Sequence, residues 1–131
     1  SLFKRLKEVI NVARCDQKIA HCLTELGDAE GALISAQKSL DVFVTAHDHR
    51  RETYSSFELG KAQIGLGQFE EALMTLENVL ESVTESEFKD FEFIIDIERK
   101  IALTLRSLGR DNEADEIVRR LDAVTEVIDE D

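Results

Sequence analysis

The sequence contains no proline, and only six glycines and two cysteines among 131 residues. Without proline, no position is barred from a helix interior by a missing N–H. Two cysteines are too few for a disulfide framework. No apolar run approaches 18 residues, so no membrane insertion is expected. The start, Ser1-Leu2-Phe3-Lys4-Arg5-Leu6-Lys7, lacks the apolar core and small-residue cleavage site of a signal peptide. Positive charge is scarce as well. Lysine and arginine number 16 against 28 aspartates and glutamates, a net charge of −12. That balance argues against a nucleic-acid binder or a polybasic membrane-surface module. What is present is an apolar share of 43%, ordinary for a globular domain and too high for a disordered acidic tail. The chain therefore reads as a single soluble, helix-permissive domain, intracellular and most simply cytoplasmic.

The glycines reveal an internal period. Gly27, Gly67 and Gly109 are spaced by 40 and 42 residues, and each follows a leucine. An aliphatic–small pair precedes each: Ile19-Ala20, Leu59-Gly60 and Ile101-Ala102. An alanine follows five residues later at Ala32, Ala72 and Ala114. Apolar residues recur three and four apart on both sides of every glycine, the spacing of one helix face. A glycine between two such runs suits the left-handed cap that ends the first helix. The pattern predicts three helical hairpins whose small residues let the paired helices approach closely. The expected boundaries are residues 12–47, 48–88 and 89–131, with residues 1–11 as the tail of a preceding helix. The whole reads as part of a longer array.

These residues resemble the tetratricopeptide repeats (TPR). The middle window fits best, with Leu59-Gly60 followed by Gly67-Gln68-Phe69-Glu70-Glu71-Ala72-Leu73, whereas Ala29 and Asp111 stand at the aromatic position of the other two. The resemblance spans roughly residues 12–125. It implies an all-α fold of stacked antiparallel helix pairs in a right-handed superhelix, an α-solenoid. The long period is similar to that of kinesin light chains and Pins-type adaptors. The asparagine that the adaptors carry after leucine-glycine is replaced here by His21, Lys61 and Leu103.

Catalysis finds no support: there is no phosphate-cradling glycine loop, nucleophile elbow or paired His-Glu metal helix. No catalytic residue, metal or cofactor is expected. Cys15 and Cys22, seven apart on one helix, are about 10 Å apart along its axis and cannot bridge each other. They read as small buried packing residues. In His47-Asp48-His49, Asp48 reads as a helix cap rather than a metal ligand.

The resemblance also implies a concave surface lined by the first helix of each hairpin. By register the first helix contributes Arg14, Gln17, Lys18, His21 and Glu25, and the second Tyr54, Phe57, Glu58, Lys61 and Ile64. The third contributes Asp96, Arg99, Lys100, Leu103 and Arg106. Six of these are basic and three acidic, a local positive excess in an acidic chain. The chaperone-tail clamp of some TPR domains is not expected, because only Lys100 matches among Gln17, His21, Glu58, Asp96 and Lys100. The reading is a protein-interaction module that holds a protein or peptide partner, acidic by charge, in a basic and partly aromatic groove. Tyr54 and Phe57 would be its apolar anchors. The alternative is an assembly segment that self-associates through uncovered terminal helices, above all the stripe Leu121, Val124, Val127 and Ile128.

Overall fold

The computed structural model describes residues 1–87 and 89–130, with the side chains of 128–130 excepted. These residues form six α-helices: α1 (Leu2–Glu25), α2 (Ala29–Thr45), α3 (His49–Gly65), α4 (Phe69–Glu85), α5 (Phe91–Ser107) and α6 (Asp111–Glu130). There is no strand among them.

The helix limits follow from local chemistry. Asp28, Asp48 and Asp90 cap α2, α3 and α5 by accepting the N–H of Gly31, Arg51 and Phe93. Gly27, Gly67 and Gly109 hold φ values of +84°, +75° and +77°. The next residue in each case donates back across the turn, Asp28 to the Leu23 carbonyl, Gln68 to Gln63 and Arg110 to Leu105. This is the Schellman closure of a helix end. The same bond, from Asp48 to the Phe43 carbonyl, closes α2, where His47 takes φ +54°. The glycine pattern anticipates three left-handed caps, and the fourth is borne by a histidine.

Each helix packs on the next, and α1 also touches α3 as α3 touches α5, whereas among the described residues α2, α4 and α6 do not touch one another. The first helices of the pairs therefore lie on the inside of the curve. Ala20, Ala32, Ala72 and Ala114 are fully buried, and Ala102 is 4% exposed. At Gly60 a Cβ would stand 2.8 Å from Leu76 Cδ2, so the α3–α4 approach needs glycine. Between the first two pairs the contact includes a polar cluster. The Ser39 and Ser55 hydroxyls are 2.8 Å apart, and Gln17 Nε2 donates to Ser55 Oγ and to the Arg51 carbonyl, both at 2.9 Å.

Three expectations are corrected. Residues 1–11 are not the tail of a separate helix, because α1 runs unbroken from Leu2 with no glycine or proline to interrupt it. Cys15 and Cys22 are exposed rather than buried. Their register equivalents Ser55 and Ala62 are fully buried, with Ser55 held by Gln17 and Ser39 of the preceding pair. Leu121 is only 6% exposed, so the terminal stripe is partly satisfied within the chain; Val124 and Val127 remain 43% and 63% exposed. The Ile128 side chain lies outside the described residues.

Candidate functional site

The inner face is built by α1, α3 and α5. On α1, Arg14, Lys18, His21 and Glu25 are exposed. Gln17 is not free for a partner, because its amide is spent on the α3 contacts described above.

On α3 the Lys61 ammonium lies 3.0 Å from Glu58 Oε1, and the two side chains are 11% and 14% exposed. His21 Nδ1 stands 3.5 Å from the same carboxylate oxygen and 3.3 Å from Lys61 Nζ, which ties α1 to α3. Lys61 Nζ also lies 4.8 Å from the centroid of the Phe57 ring, a cation–π contact. Glu58 Oε2 is buried without a hydrogen-bond partner among the described residues.

Phe57 does not serve as an accessible anchor. It is 6% exposed and meets the edge of Phe93 at 5.2 Å between ring centroids. Its length and flat shape fill the gap between α3 and α5, which is a core task. Tyr54 is half-buried and stacks on Phe93 at 4.5 Å and 17°, with its hydroxyl 3.4 Å from Asp90. Phe93 is the residue that sequence reasoning passed over. Its signal was its spacing from Asp96 and Lys100, three and seven residues on, which places it on the same helix face. Tyr54 and Phe93 form one wall of a cleft of about 720 Å³ at the junction of α3, α4 and α5, with Arg50, Ser82 and Lys89 among its other lining residues. Ile64 packs against the core.

On α5, Asp96 and Arg99 are exposed, Lys100 is half-buried and Leu103 is 47% exposed. Arg106 turns towards the second helix of its own pair, where its guanidinium lies 2.7 Å from Asp115. Arg14, Lys18, Arg99 and Lys100 take part in no ion pair among the described residues. No three His, Cys, Asp or Glu side chains among them converge as a metal site, and no helix is long and apolar enough to cross a membrane.

A solved structure shares this arrangement over most of its length. The TPR domain of FLU from Arabidopsis superposes with a TM-score of 0.75, covering 93% of this chain and 98% of that one, at 17% sequence identity. The fold is that of a TPR domain. No protein-family model matches the sequence, and no curated protein does either. At that identity the likeness speaks for the fold. The side chains of the TPR inner face are this chain's own.

Proposed function

We propose that the chain is a protein-interaction module, an adaptor or scaffold element without chemistry of its own, that holds an acidic segment of a protein partner along its inner face. One observation carries this reading. Arg14 and Lys18 on α1 and Arg99 and Lys100 on α5 take part in no ion pair among the described residues, in a chain of net charge −12. Unpaired cations on one face of an acidic body attract carboxylates and fix their position through charge-assisted hydrogen bonds. Leu103 on α5 and the open edge of Tyr54 on α3 supply apolar contact.

The test is titration of the purified chain with fluorescently labelled acidic peptides that each carry one aromatic residue. The double change Arg99→Glu and Lys100→Glu should weaken binding at least about tenfold, or 1.4 kcal/mol, with unchanged circular dichroism. Added salt should weaken the wild-type complex. Equal affinity in the double variant, or indifference to salt, would move the site off this face.

A further inference from the structure

We propose that the cleft at the junction of α3, α4 and α5 takes a tryptophan side chain of the acidic partner segment, with an acidic neighbour of that tryptophan held by Arg50 and Lys89. The anchor belongs to the segment proposed above and depends on that reading. The cleft lies within the array, where the second helix pair meets the third. Its volume of about 720 Å³ falls in the range of sites that enclose a small organic group, roughly 300–1,000 Å³. Tyr54 and Phe93, stacked at 4.5 Å and both half-buried, form its wall, and Val83 of α4 lies beside them. Two stacked rings with an open side receive a third ring edge-on or offset, and such contacts add affinity beyond the area they bury.

The charges of the cleft select the neighbour. Two of its lining carboxylates are already engaged. Glu52 lies 3.4 Å from His49 Nδ1, and Asp90 accepts the Phe93 N–H at 3.1 Å and stands 3.4 Å from the Tyr54 hydroxyl. Arg50 and Lys89 are exposed and take part in no ion pair among the described residues. Against them stands Glu85, the lining carboxylate that remains. Two free cations facing one free carboxylate attract an acidic residue and oppose a lysine or arginine. Glu85 in turn offers an acceptor to a donor carried by the ring itself. The indole N–H of tryptophan is such a donor, and phenylalanine has none.

The fold also sets a spacing. Phe93 and Lys100 share a face of α5 seven residues apart, about 10 Å along the axis. An extended segment rises about 3.3 Å per residue, so roughly three residues separate the tryptophan from the acid that meets Lys100. Arg50 precedes Tyr54 by one turn of α3, and Lys89 stands just before the Asp90 cap of α5. Both therefore lie on the far side of the ring wall from Lys100, where an acid directly adjacent to the tryptophan would fall. The pattern that fits is acid, tryptophan, two spacer residues, acid, in one chain direction or the other.

The chain contains no tryptophan, so the indole fluorescence of a peptide reports its own burial. The full chain is titrated into end-blocked Asp-Trp-Ser-Ser-Glu and its reverse, Glu-Ser-Ser-Trp-Asp. The emission of one of them should shift to the blue. With an end label read by anisotropy, replacing the tryptophan by alanine should weaken binding at least about tenfold. Ser82→Tyr, which fills the cleft from its exposed rim, should cost as much with unchanged circular dichroism, and so should Arg50→Glu with Lys89→Glu. Glu85→Ala should erase the preference for tryptophan over phenylalanine. The proposal is overturned if neither peptide binds, if the emission does not shift, if the alanine peptide binds equally, or if the cleft variants change nothing. Acidic peptides without an aromatic residue separate the two readings. If they still bind and lose affinity with Arg99→Glu and Lys100→Glu, the inner face stands and only the cleft falls. A blue shift that is lost with Ser82→Tyr but indifferent to Arg99 and Lys100 keeps the tryptophan site and ends the inner-face reading.

Discussion

The Lys61 ammonium and the Glu58 carboxylate form an ion pair at 3.0 Å while each side chain is almost wholly covered. The pair removes Lys61 from the cations available to a partner and neutralises an acid that would otherwise repel an acidic ligand. It also places a charge couple where α1 and α3 meet, held from the other side by His21.

Breaking that pair from one side should therefore cost more than removing it whole. Lys61→Met leaves the Glu58 carboxylate covered and without its lysine partner, and should destabilise the fold by about 2 kcal/mol. Glu58→Gln combined with Lys61→Met should recover most of that loss. Urea unfolding of the two singles and the double closes the cycle, and additive losses would show that the two charges are not coupled.

Gly60→Ala and Gly67→Ala should both destabilise, for different reasons. At Gly60 the added methyl meets Leu76, which is fully buried and has nowhere to go, a cost of about 1–3 kcal/mol. At Gly67 nothing lies within 4 Å, so the cost comes from φ +75° alone and is about 1 kcal/mol. Combining each with Leu76→Val should shrink only the Gly60 penalty, read by denaturant midpoints.

His47 carries a left-handed conformation that glycine adopts without strain. His47→Gly should stabilise the chain by about 0.5 kcal/mol, the strain relieved exceeding the entropy glycine adds to the unfolded chain. The melting temperature should rise. A fall would mean that the His47 side chain makes a compensating contact.

Asp48→Ala should cost about 1 kcal/mol at neutral pH through loss of the α3 cap. Burial pushes the Asp48 carboxyl up, but the hydrogen bonds from the Arg51 side chain and backbone, with the charges of Arg51 and His49, hold it below its ordinary 3.8. A lowered carboxylate contributes stability that is complete above the unfolded value and is lost as pH falls through the folded one. The gap between wild type and variant should thus narrow only below about pH 4. A gap that is constant down to pH 2 would assign the effect to helix propensity instead.

The hairpins and their turns were legible because their causes are local. Gly27, Gly67 and Gly109 announce left-handed caps, and Asp48 announces a helix start. His47 was not legible, since a histidine takes φ +54° only when Phe43 and Asp48 close the turn around it. The register placed Tyr54, Phe57, Lys61 and Arg106 on helices of the inner face. It could not say that Phe57 would sink beneath Phe93, or that Arg106 would reach across to Asp115.

By itself the sequence determined three helix pairs and the small residues at their crossings, because each rests on backbone conformation and on side chains three or four apart. Only the tertiary structure decided which charged and aromatic groups are spent inside the fold and which remain for a partner. Long side chains choose their contacts among neighbours far along the chain. His21 meets Lys61 from 40 residues away and Tyr54 meets Phe93 from another repeat, and no local pattern encodes that choice.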